Sequence, residues 1–180
     1  MSISNWCLLL GAILAFNGAG MVVLPETSRK ILKGFPRNRY AGWLLCAAGW
    51  IWAAYATLHM GLDVFEPYKP YVPYLAAVMI PLSCWALDNL LACRGYAAIC
   101  CLLPSPLFYA ARTHESLWRL VPVVFGYLLA VKGMFAMFYP WIVRREIDFV
   151  CASRLRLLAY GLAHLVVGAL FLALAFTALR

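Results

Sequence analysis

The chain has 180 residues, 66% of them hydrophobic and only 12% charged, with a formal net charge of +8 and a mean hydropathy of +0.84. Soluble domains carry about 25% charged residues, so the composition excludes an ordinary globular fold and makes lipid the solvent of this one. The basic residues sit in short segments between apolar runs, which argues against nucleic acid as a partner and for anionic lipid headgroups.

Lipid cannot satisfy backbone polar groups, so apolar runs of this length must be helices. The first span is expected from Asn5 to Leu24, closed by Pro25, which suits the first turn of a following helix. Residues Met1 to Asn5 show no basic signal-peptide region and no A-x-A site follows, so this span is expected to persist in the mature protein. From Glu26 to Arg39 the cations Arg29, Lys30, Lys33, Arg37 and Arg39 alternate with Ile31, Leu32 and Phe35, the pattern of a segment lying along the membrane surface. A second span is expected from Tyr40 to Leu62, then a proline-rich loop from Asp63 to Tyr71.

The third span is expected from Val72 to Leu91, kinked at Pro81, with a tight basic turn at Cys93-Arg94-Gly95. The fourth, Tyr96 to Ala111, is short and contains Pro104 and Pro106, so it should be broken or tilted. After the loop from Arg112 to Ser116 come a fifth span, Leu117 to Tyr139, a second basic segment, Trp141 to Arg156, and a sixth span, Leu157 to Leu179. The expected fold is thus all-α: a polytopic transmembrane bundle of about six spans in one integral domain, with hairpins over 5–62, 72–111 and 117–179. Trp6, Trp43, Trp118 and Trp141 fall near the expected span ends, where indole prefers the interface.

Segments after odd-numbered spans hold Arg29, Lys30, Lys33, Arg37, Arg39, Arg94, Arg144, Arg145, Arg154 and Arg156, against Lys69, Arg112, Arg119 and Arg180 on the other side. The positive-inside rule then predicts both termini away from the cytoplasm, and the basic linkers in contact with anionic headgroups.

The first and last hairpins share a pattern. Gly11, Gly18, Pro25, Arg29 and Arg39 recur at the same intervals as Gly126, Gly133, Pro140, Arg144 and Arg154; Gly42 with Gly49 answers Gly161 with Gly168. Glycines seven residues apart lie two turns apart on one helix face, so the four pairs predict close helix packing, expected within each hairpin. The middle hairpin does not align convincingly as a third copy. This unit resembles an uncharacterised bacterial family of small two-span inner-membrane proteins in which a similar unit forms the whole chain. The likeness covers Leu8 to Leu58 and, more loosely, Val123 to Ala178. The family typically carries an acidic residue where this chain has Asn17 and Lys132. The resemblance implies a bacterial inner-membrane protein and no particular activity.

Ionised groups inside a span cost about 2.5–3.5 kcal/mol on insertion scales, so the few polar residues there are the functional candidates. Asn17 lies eight residues before Pro25 and Lys132 eight before Pro140, which places both roughly 12 Å from the basic side. Asp88 and His164 fall at comparable depth. The expectation is an intramembrane polar layer in which Asp88 pairs with Lys132, near Asn17, Asn89 and His164, serving either as a structural ion pair or as an ion, lipid or quinone site. The seven cysteines include no C-x-x-C and read as small buried hydrophobes, no metal-ligand spacing occurs, and no cofactor is expected. Ser83 with His164 is the one conceivable nucleophile and base for an enzyme. The reading that follows is a non-enzymatic membrane scaffold or accessory subunit, with a membrane-protein partner or a second copy of the chain as its company. The alternative is a small transporter or lipid- or quinone-handling protein. A cavity reaching Asp88 and Lys132 from one side would favour the second, and an exposed flat glycine-rich or aromatic face the first.

Overall fold

A computed structural model of the chain describes residues 2–61, 63–86 and 90–178, and these are helical with no strand among them. In chain order the helices are α1 (Ile3–Val23), α2 (Pro25–Gly34), α3 (Arg39–Leu58), α4 (Val72–Ala86), α5 (Leu91–Leu102), α6 (Pro104–Arg112), α7 (Leu120–Phe138), α8 (Trp141–Cys151) and α9 (Arg154–Phe176). Five helical stretches are long and apolar enough to cross a membrane: Ile3–Val23, Arg39–Leu58, Leu91–Arg112, Leu117–Phe138 and Arg154–Phe176. The protein is a multi-pass membrane protein built as an all-α bundle.

The local chemistry explains the boundaries. Ser2 and Asn38 cap α1 and α3 by accepting from the backbone N–H of Asn5 and Ala41. Pro25 opens α2, and Pro104 and Pro106 sit in the first turn of α6, where the missing N–H costs nothing. The same prolines stop α5 from running straight on, so Leu91–Arg112 crosses as one span broken at Leu103. The expected turn at Cys93-Arg94-Gly95 is instead the second turn of α5, and the chain enters that helix through Leu90 in the left-handed region, at φ 61°. Gly95 belongs there because α3 passes over it. A Cβ at that position would lie 2.7 Å from the Leu45 Cβ.

The third expected span is short. As described, α4 has 15 residues, fewer than the roughly 20 needed to cross a bilayer unaided. It returns beside α3 all the same: Cys84 touches Cys46, and the Trp50 indole Nε1 donates to Ser83 Oγ at 3.1 Å.

All eight paired glycines are buried, but the faces they make do not meet within the hairpins. Gly11 and Gly18 of α1 face Gly168 and Gly161 of α9, backbone against backbone. Gly42 and Gly49 of α3 take Leu91, Ala92 and Ala98 of α5, in parallel, while Gly126 and Gly133 of α7 take Phe108 and Cys101 of the broken span, antiparallel. The reason is the linker. Each hairpin is interrupted by a surface helix, α2 or α8, which separates its two long helices and frees their smooth faces for others. At the far end the same α1–α9 seam is closed by Ser4 Oγ, which donates to the Ala175 carbonyl at 3.0 Å, so the start of α1 and the end of α9 lie on one side.

The surface helices dock beneath the seam. Leu32 of α2 packs against a buried cluster of Met21, Val150 and Leu157, contributed by α1, α8 and α9. Ser28 Oγ donates to the Gly20 carbonyl at 2.9 Å, tying α2 back to the end of α1. A larger cluster around Ile3, Cys7, Leu107 and Phe171 fills the far end of the bundle.

Cysteines behave as packing residues. Cys7, Cys93 and Cys151 are fully buried, and every cysteine is a free thiol. At Cys151, outside the spans, burial raises the thiol pKa, with Lys33 and Arg29 pulling it the other way. We expect iodoacetamide to label Cys151 far more slowly in the folded protein than after denaturation. Equal rates would mean that α8 is not docked as described.

Candidate functional site

The linker helix α8 carries an acidic residue to the bundle. Glu146, one helical turn beyond Val143, sits on the face of α8 that turns inward: Val143 and Val150 are buried, while Arg144, Arg145 and Asp148 face outward. Its Oε1 accepts from Lys132 Nζ of α7 at 2.8 Å and from the Tyr160 hydroxyl of α9 at 3.0 Å. The ion pair therefore joins the surface helix to two membrane-spanning helices. Its members are half-buried, at 36% and 33% of side-chain exposure. The Lys132 ammonium also stands 5.9 Å from the centre of the Tyr96 ring of α5, within cation–π range.

One turn further along α9, His164 hydrogen-bonds through Nδ1 to the Tyr160 carbonyl at 2.9 Å. A carbonyl can only accept, so the proton sits on Nδ1 and the neutral ring keeps Nε2 as an acceptor. Asn17 spends an amide N–H on the Ile13 carbonyl of its own helix, at 2.9 Å. Its carbonyl oxygen is left for another donor.

Asn17, Tyr96, Lys132, Glu146, Tyr160 and His164 line one cavity of about 360 Å³, whose remaining wall is apolar, with Ile13, Leu14, Met21, Leu32, Phe35 and Ile147 among its residues. The volume lies at the lower end of the roughly 300–1,000 Å³ typical of small-molecule sites. Lys132 and Glu146 cancel in charge. What remains is a largely apolar chamber that carries spare donors on Lys132 and spare acceptors on Glu146, His164 and Asn17.

Three of the five polar residues singled out in the sequence, Asn17, Lys132 and His164, thus share a cavity. Asp88 and Asn89 lie outside the described residues. Among the described residues the carboxylate that meets Lys132 is Glu146, which reads in the sequence as one charge of a basic linker. Fourteen residues separate it from Lys132 on one side and from Tyr160 on the other, and only the docking of α8 brings the three together.

The other sequence candidates are dispersed. Ser83 accepts from Trp50 in a separate cavity between α3, α4 and α5, so it does not converge with His164 and no nucleophile–base pair forms there. His59 bonds to the Tyr55 carbonyl at the end of α3, and His114 Nδ1 accepts from the Ser116 N–H in a loop. Among the described residues no group of His, Cys, Asp and Glu is arranged to hold a metal ion. Lys30, Lys33, Arg37, Arg39, Arg144, Arg145, Arg154 and Arg156 are exposed on α2, α8 and the adjoining helix ends, with Arg29 half-buried. All lie on the side of the bundle where α2 and α8 lie. No family model, curated protein or solved structure matches the chain.

Proposed function

We propose that this protein binds an amphipathic molecule with a neutral, hydrogen-bonding head, a neutral lipid or a quinone, in the cavity floored by Lys132, Glu146 and Tyr160. The observation that carries the reading is the pairing of an apolar chamber with a charge-balanced ion pair in its wall. A hydroxyl or carbonyl head meets the spare donors and acceptors without breaking the ion pair, whereas an anionic head would face the Glu146 carboxylate. The eight paired glycines are all spent inside the bundle, so a scaffold role would rest on exposed aromatics such as Phe16 and Phe138 instead of a glycine-rich face. The wider setting in this proposal is a bacterial inner membrane, with a duplicated hairpin unit, both termini away from the cytoplasm and the basic linkers against anionic headgroups on the cytoplasmic side.

The test is native mass spectrometry of the detergent-purified protein with dioleoylglycerol, decylubiquinone and dioleoylphosphatidylglycerol as probes. At least one neutral probe is expected to bind more tightly than the anionic one, and Ile147→Trp, which fills the chamber, should weaken it by about tenfold or more. Failure of both neutral probes, or tighter binding of phosphatidylglycerol at this cavity, would overturn the proposal.

A further inference from the structure

A second cavity of about 360 Å³ lies on the other side of α5, walled by α3, α4 and α5 with Met137 of α7 at its edge. Its wall is apolar except at three residues. The Trp50 indole N–H is met by Ser83 Oγ, whose own hydroxyl is hydrogen-bonded to Cys46. The third, Arg94, is among the described residues the one charged side chain lining the cavity, and its Nε is buried with no hydrogen-bond partner among them. A guanidinium has five N–H donors and cannot shed its charge, so a buried donor left unmet in a membrane protein calls for an anion.

The shape adds the second half of the argument. Arg94 lies one turn from the start of α5, whereas Leu102 ends that helix, and Cys46 and Ala53 mark the same two levels on α3. At 1.5 Å per residue, the cavity runs roughly 12 Å along the helices from a cation to an apolar end. It is a slot with a charge at one end, not a chamber with a balanced polar floor.

The geometry points to a binding site for a single-chain anionic lipid, a long-chain fatty carboxylate, with its head on the Arg94 guanidinium and its tail along Trp50, Ala53 and Leu102. A carboxylate matches the planar fork of arginine in two parallel hydrogen bonds. The apolar slot is wide enough for one chain and takes the half of it nearest the carboxylate. This site is independent of the Lys132–Glu146 cavity, so either can fail without the other.

Trp50 provides the readout. Palmitate brominated near mid-chain should quench the fraction of tryptophan fluorescence that Trp50→Phe removes, and its methyl ester should bind about tenfold or more weakly. Arg94→Gln should show the same loss and Arg94→Lys should recover part of it, while unchanged melting temperatures establish that these variants are folded. Ala53→Phe, which blocks the tail end, should weaken binding with Arg94 intact. Equal binding of acid and ester, or undiminished binding to Arg94→Gln, would overturn the site. Quenching by brominated phosphatidylglycerol but not by brominated palmitate would overturn the single-chain assignment. Asp88, outside the described residues, supplies a last check: Asp88→Asn should leave affinity unchanged, and a rise of about tenfold would show that the guanidinium already has an internal partner.

Discussion

Gly18→Val is expected to lower the stability of the purified protein by about 3 kcal/mol or more, at or beyond the top of the usual overpacking range, and its melting temperature by roughly 6–12 °C. A Cβ at Gly18 would lie 2.6 Å from the Gly161 carbonyl oxygen and 2.8 Å from the Leu165 nitrogen. Both are backbone atoms of α9, so no side-chain rotation can relieve the clash and the helices must separate. Separation would spoil the matching contacts of Gly11 and Gly168, where added Cβ atoms would come within 2.9 Å of Leu172 Cγ and 2.7 Å of the Ala15 nitrogen. Gly20 lies on the same helix, and its nearest contact would be Ser28 Oγ at 3.8 Å, an ordinary van der Waals distance. Gly20→Ala should therefore be tolerated, or stabilise by up to about 1 kcal/mol through helix propensity. Thermal melts of the two variants side by side check the seam. If they melt alike, α1 does not pack on α9 through its glycines.

The second large effect concerns the ion pair. Glu146→Leu should cost about 1–3 kcal/mol, less than the roughly 3–5 of a fully buried pair because both members are only half-buried. It strands the Lys132 ammonium and removes the acceptor of the Tyr160 hydroxyl together. Lys132→Leu should also destabilise. The double variant should recover much of the loss, giving a coupling of about 1–2 kcal/mol in a double-mutant cycle. In the same assay Asp88→Leu combined with Lys132→Leu should be additive. Strong coupling to Asp88 and none to Glu146 would contradict the described docking of α8.

How much of this could be read from the sequence follows from which patterns are local. Length and apolarity place the long helices, and Pro25 and Pro104 mark where they end or break, because each acts on its own turn of chain. The depth of Asn17 and Lys132 follows from their distance to Pro25 and Pro140, since a helix rises by a fixed step. The glycine spacing of seven reveals a smooth face, but a smooth face does not name its partner. Spacing alone points to the nearest helix in sequence, whereas α1 meets α9. Gly95, beside Arg94, resembled a turn residue, and only the crossing of Leu45 shows that it makes room for α3. Glu146 stayed hidden for a related reason: a single acid among Arg144, Arg145 and Asp148 looks like surface charge until α8 is docked and its inward face is known.

The most direct test of the central claim is ligand retention by the charge-free double variant, Lys132→Leu with Glu146→Leu. Native mass spectrometry would follow binding of the neutral probe that the unmodified protein prefers, beside a thermal melt of the same sample. The account predicts a folded protein with a melting temperature near that of the unmodified chain and binding weakened by about tenfold or more, since the head of the ligand has lost its polar floor. Binding undiminished in a folded double variant would contradict it and leave Lys132 and Glu146 as a clasp that holds α8 to the bundle.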